Sequence, residues 1–278
     1  MKINKNEFEE LLSLNNSTSS TEIEKFVIGK SNLPGPRANL TFASEFAKYF
    51  QKKDVPDTLW QLVIQWAHIS ANETQNNSPK EYLPFCAIQA LGAHFEFTDQ
   101  QDQLIDILKE AMNDPRWRIK ESVAIAFQLI GEHNFNVLEK YFNNWITTAN
   151  LLEQRAILAA LAHPPILKNN DNAKFALKIA DDIMLNTINI SSQRRRSEEF
   201  KVLKKGLNYC LSVFVSALPK EGFLFLEKYA GTDDPDIISI IKSNLSKGRL
   251  KNKYPLNVLK IYENISEKTP MNFSKSQE

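Results

Sequence analysis

Three side chains have the types and spacing to act together on a charged ligand: Trp117, Glu121 and Arg155. On a helix, positions four apart share a face, so Trp117 and Glu121 point the same way. An indole offers its π face to a cation, a carboxylate stabilises positive charge beside it, and an arginine fork can hold a phosphate. Arg116, Arg118 and Lys120 interleave with Trp117 and form a cationic cluster suited to a polyanion. Each residue also has a structural alternative. Trp117 can pack at a helix start, Glu121 can complement the helix dipole from the first turn, and Arg155 can tie neighbouring elements together.

Other charged stretches carry the same pair of readings. Arg194, Arg195 and Arg196 precede Glu198 and Glu199, so Arg194–Glu198 and Arg195–Glu199 pairs four apart are expected, with an anion site as the alternative. The run Lys247-Gly248-Arg249-Leu250-Lys251-Asn252-Lys253 is less compensated; it reads as a connector or as a contact for nucleic acid or an acidic partner. In Ser31–Leu40, Pro34-Gly35-Pro36 forces a turn and Arg37 follows, giving either a shaped cap or a binding role for Arg37 and Asn39.

Metal and nucleophile chemistry find no foothold. His68, His94, His133 and His163 are isolated from one another and from cysteine, with neither an HExxH nor a CxxC spacing, so no metal is expected. They fall near helix ends, where the C-terminal dipole suits them. Phosphate-loop, dinucleotide and nucleophile-elbow signatures are missing, and no cofactor is expected.

Composition narrows the classes. The 278 residues are 42% hydrophobic, enough for a sizeable core, while only 8 are glycine, which argues against glycine-rich nucleotide-binding turns. The formal net charge is +1, so a general polyanion affinity needs a local basic face. Cys86 and Cys210 sit in apolar helical patterns and read as buried thiols of a reducing, cytoplasmic compartment. The polar start, Met1 to Glu10, does not resemble a secretory signal, and no apolar run reaches the length of a membrane span.

The elements that must position these residues are helices. Apolar residues recur at helical spacing in Leu104, Ile107, Leu108 and Ala111, and again through Ile119, Val123, Ala126, Phe127 and Ile130. The same stripe returns at 138–149, 176–184, 203–214 and 237–245, and no stretch alternates with period two. Pro36, Pro115 and Pro235 mark helix starts, Asp114 and Asp234 are expected N-caps, and Gly131 and Gly231 mark helix ends. Asn72–Lys80 reads as a mobile loop. The helices fall into pairs: 21–30 with 36–50, 57–70 with 81–95, 100–113 with 115–131, 135–149 with 151–163, 172–189 with 193–218, and 221–230 with 235–247. Second helices recur every 35–40 residues, the mark of one helix–turn–helix unit per repeat.

Asp114-Pro-Arg-Trp-Arg-Ile-Lys-Glu-Ser-Val-Ala124 resembles the inner-helix pattern of HEAT repeats, with Lys120 at the usual basic position. Asp234-Pro-Asp-Ile-Ile-Ser-Ile-Ile and Gln154-Arg155-Ala156-Ile-Leu-Ala-Ala are partial matches, and the resemblance covers about residues 55–250. It implies an all-α fold: an α-solenoid of about six antiparallel helix pairs, of the HEAT-like or armadillo-type superhelix, as a single domain over 1–278. Residues 1–20 are expected to be flexible or a short helix and 266–278 a flexible tail. The function it implies is a scaffold that binds a protein or nucleic acid through a concave face, using Arg116, Arg118, Lys120, Arg155 and Arg37. Trp117, Glu121 and Arg155 also resemble the aromatic–carboxylate–arginine set of the HEAT-like alkylpurine DNA glycosylases. That resemblance implies removal of alkylated bases, with Glu121 stabilising the cationic sugar, although the family's carboxylate is an Asp.

Overall fold

A computed structural model describes Leu11 and residues 19–267. Among these, the regular structure is helical throughout, and the fold class is all-α. The chain divides into two compact units, residues 1–138 and 139–278. The expectations for the two chain ends lie mostly outside the described residues.

Unit 1 holds α1 (Ser20–Gly29), α2 (Leu40–Tyr49), α3 (Asp57–Ala67), α4 (Tyr82–His94), α5 (Gln101–Ala111) and α6 (Trp117–His133). The second helices of the pairs, α2, α4 and α6, lie side by side, with α3 against α4 and α5 against α6. This is α-solenoid stacking. It explains why α4 is buried at all thirteen positions: its sequence YLPFCAIQALGAH is apolar all round, as a helix covered on every side must be. The row is tight enough that Gly92 on α4 has no room for a side chain; a Cβ there would stand 2.5 Å from Ala126 Cα on α6. The Ser122 hydroxyl of α6 donates to the Phe85 carbonyl of α4 across the same contact.

The division falls within α7 (Phe135–Trp145), and unit 2 continues with α8 (Leu151–Leu161), α9 (Asn170–Ile188), α10 (Glu198–Ala217), α11 (Pro219–Ala230) and α12 (Pro235–Leu245). Here α8, α10 and α12 form the row of second helices, α9 and α11 pack beside them, and Lys178 of α9 donates to Asn143 Oδ1 of α7 at 2.8 Å. Asn244 is buried in this row with its amide fully used. It donates to the Leu207 and Ile240 carbonyls at 2.8 Å and accepts from the Ser212 amide at 2.8 Å.

Several sequence expectations need correction. The stretch after Lys247 is helical rather than a connector, forming α13 (Gly248–Lys251) and α14 (Pro255–Glu267). Val258, Ile261 and Ile265 are buried at helical spacing, and α14 packs on α11. Pro36 does not open a helix; α2 begins at Leu40, capped by Asn39, whose Oδ1 accepts from Phe42 N at 3.1 Å. Asp234 does cap α12, accepting from the Asp236 and Ile237 amides. Asp114 instead precedes the cap of α6 and is held by Arg116. Gly231 caps the end of α11 as expected, whereas Gly131 lies inside α6. The 72–80 loop is tied down by Arg116 and Arg118. Arg195 does not pair along its own helix but crosses to Asp234 and Asp236.

Candidate functional site

The cationic cluster around Trp117 is an interior feature. Arg116 is 3% exposed and Arg118 3%, and both guanidinium groups bond to the protein's own loops. Arg116 grips Asp114 with Nε and Nη2 at 2.9 and 2.6 Å. It also donates to Thr74 Oγ1 at 2.6 Å and to the carbonyl of Ile69, just past α3, at 2.7 Å. Arg118 reaches Glu81 Oε2 at 3.2 Å, Gly35 O at 2.7 Å and Asn77 Oδ1 at 3.1 Å. Lys120, 8% exposed, donates to the Asp114 and Pro115 carbonyls. The expectation of a presented basic face at Arg116, Arg118 and Lys120 is therefore corrected: long cations are buried here because carbonyls and carboxylates surround them.

What these ties build is a shallow groove of about 530 Å³ at the start of α6, lined by Pro34, Gly35, Pro36, Asn77, Trp117 and Arg118. Two asparagines with left-handed backbones, Asn32 (φ 58°) and Asn77 (φ 67°), set its loops. Gly35 is required for space: a Cβ there would meet Asn32 O at 2.6 Å. The Asn77 side-chain oxygen accepts from Gly35 N at 3.0 Å, and the Asn77 backbone N–H donates to Glu81 Oε2 at 2.7 Å. Trp117 is left 48% exposed at the groove edge, with the Arg118 guanidinium 4.7 Å from its ring centre. Arg37 is exposed on the same loop but does not line the groove, and Asn39 is occupied as the α2 cap.

Glu121 is half-buried on α6 in unit 1, while Arg155 is half-buried on α8 in unit 2, so neither unit by itself brings Trp117, Glu121 and Arg155 together. Arg155 packs beside Gly206, where a Cβ would come 3.2 Å from its Cγ, and burial pulls its pKa below the ordinary arginine value.

Sequence reading missed a second groove, of about 480 Å³, in unit 2 between the end of α8, α10 and α13. Leu167 and Val213 contribute apolar surface, with Lys168, Asn170, Tyr209 and Arg249 as polar lining. Tyr209 is 50% exposed. Arg249 lies over its ring at 4.7 Å and donates to its hydroxyl at 3.0 Å. The signal in the sequence is the uncompensated 247–253 run, but the aromatic it meets lies 40 residues away. Behind Tyr209, burial pushes the Cys210 thiol up to about 12 against the pull of Arg155 and Arg249, and Cys86 is raised by burial as well, so both thiols are protonated and inert at neutral pH.

The histidines do lie at helix ends: His68 caps α3 with its Nδ1–H donating to Ile64 O at 2.8 Å, and His94 closes α4 with Nδ1 2.9 Å from Phe50 O. Among the described residues, no group of three or more His, Cys, Asp or Glu side chains could hold a metal ion, and no helix is long and apolar enough to cross a membrane.

No protein-family model and no curated protein matches the chain. Among solved structures, it is similar to the designed armadillo repeat protein YIII(Dq)4CqI, at 15% identity over 81% of this chain and 98% of that one, with a TM-score of 0.27. Its own helix pairs make it a helical-repeat protein.

Proposed function

We propose that this helical-repeat protein is a binding scaffold that engages a macromolecular partner through the face carried by the second helices of its pairs, the face expected from the sequence to be concave. One observation carries the reading. Two aromatics stand among the exposed large hydrophobic side chains of the described residues, Trp117 on α6 and Tyr209 on α10; each is about half exposed and each stacks against an arginine. An aromatic immobilised by a stacked guanidinium contacts a partner with little further loss of side-chain freedom, and such residues recur as interface anchors. The burial of Arg116, Arg118 and Lys120 in unit 1 favours this reading over one that follows a phosphate backbone.

The test is quantitative affinity capture from the cells the protein comes from, comparing the wild type with a Trp117→Ala/Tyr209→Ala double variant of unchanged melting behaviour. Because anchor truncations typically cost about 2 kcal/mol or more, a defined set of proteins should fall at least about tenfold in recovery. The same set recovered by both would remove the aromatic anchors, and with them the reading.

A further inference from the structure

Charge is divided unevenly along the chain. Residues 1–138 carry 13 Lys and Arg against 18 Asp and Glu, whereas residues 139–278 carry 21 against 15. The near-neutral total therefore conceals a formal +6 on the second unit. Much of that unit's positive charge is neutralised in place: Lys174, Lys178, Arg195, Lys201, Lys204 and Lys228 each pair with a carboxylate.

The cations around Tyr209 are different. Lys168 and Arg249 line the groove, and no carboxylate lines it with them. Arg249 spends one Nη donor on the Tyr209 hydroxyl and makes no salt bridge among the described residues. Lys168 is exposed and forms no ion pair among the described residues. Lys205, exposed one turn before Tyr209 on the same face of α10, likewise has no carboxylate partner among the described residues. Lys168 and Arg249 beside an exposed ring, with apolar surface from Leu167 and Val213 in the same groove, define both halves of a ligand.

We infer that this unit 2 groove binds an acidic peptide segment: carboxylates pair with Arg249, Lys168 and Lys205 while an apolar side chain packs on Tyr209 and the Leu167–Val213 floor. The inference rests on the scaffold reading and names the partner class for one of its two anchors. A peptide fits better than single-stranded nucleic acid. Nucleic acid would need successive stacking platforms along a basic track, but the groove offers one ring and an apolar floor that suits a side chain. Carboxylate pairing with an arginine fork supplies the directional part of recognition, and the uncompensated charge speeds and orients the encounter.

The experiment is fluorescence anisotropy of the full chain with a labelled twelve-residue peptide of Asp and Glu interspersed with Leu and Phe. Two comparison probes are the same peptide with Asn and Gln for its acids, and an oligothymidylate of equal negative charge. The acidic peptide should bind, and the amide version should bind at least about tenfold more weakly. Arg249→Glu and Lys168→Glu should each weaken binding about tenfold or more, and Tyr209→Ala should weaken it by a similar factor, all with unchanged circular dichroism. Equal binding of the amide peptide, full affinity in the charge-reversed variants, or tighter binding of the oligothymidylate would each overturn the assignment. If that happens while capture still depends on Trp117 and Tyr209, only the acidic-peptide assignment falls; if capture is also unaffected, the scaffold reading falls with it.

Discussion

Arg118 and Trp117 are neighbours in sequence with opposite structural duties. The Glu81 carboxylate is wholly buried, and Arg118 is its salt-bridge partner at 3.2 Å. Removing one member of a buried pair leaves the other charge uncompensated, at a cost of about 3–5 kcal/mol. Arg118→Ala should therefore lower the urea midpoint steeply and loosen the 34–36 and 76–77 loops that Arg118 also holds. Trp117→Ala removes a half-exposed ring and should change stability by about 1 kcal/mol or less. Equilibrium denaturation of both variants checks the contrast; similar losses would mean that Trp117 is a packing residue. The basic residue types were legible at these positions. Their burial was not, because the partners Glu81, Asn77 and Gly35 lie 37, 41 and 83 residues away.

At the scale of elements, two arginines join helix ends in parallel ways. Arg116 links the carbonyls just past α3 to Asp114 before α6. Arg195 links the Thr187 and Ile188 carbonyls at the end of α9 to Asp234, the cap of α12. The second junction titrates. The hydrogen bond from Arg195 holds Asp234 below the usual carboxylate range, and the Lys204 hydrogen bond, then Arg195, does the same for Asp236. A carboxyl whose folded pKa is depressed contributes stability that is complete above its unfolded value, about 3.9. That contribution disappears as the pH falls through the lower folded value. Thermal melts from neutral pH downward should thus show a drop beginning near pH 4. Asp234→Asn, which keeps a good capping side chain, should be less stable at neutral pH and show a shallower acid limb. An unchanged acid limb would mean that the junction contributes nothing. Helix existence and pairing were legible from apolar spacing, but the direction of Arg195 was not: an along-helix partner at Glu199 and a cross-helix partner at Asp234 look equally good without the fold.

For the molecule as a whole, the two units each hold their own row of second helices, α2–α4–α6 and α8–α10–α12. Stability in stacked helix pairs is dominated by neighbour contacts, so damage should stay local. Gly92→Ala offers a probe, because the added methyl would meet Ala126 backbone on α6. Overpacking costs about 1–3 kcal/mol, against about 1 kcal/mol gained in helix propensity. Hydrogen exchange read by mass spectrometry should quicken in α4 and α6 and leave α10 largely unchanged; equal acceleration in both units would show one cooperative body.

The amino-acid order alone determined that this chain is helical and paired, because helix periodicity, capping residues and turn residues act over a few positions. Even the missed α14 carries its stripe in Val258, Ile261 and Ile265. The tertiary structure decided what the charged and aromatic residues do. It turned Arg116, Arg118 and Lys120 inward and left Trp117 and Tyr209 at the surface, each stacked against an arginine. The physical reason is that a side chain's charge is a local property, whereas its solvation and its partners depend on segments tens of residues away.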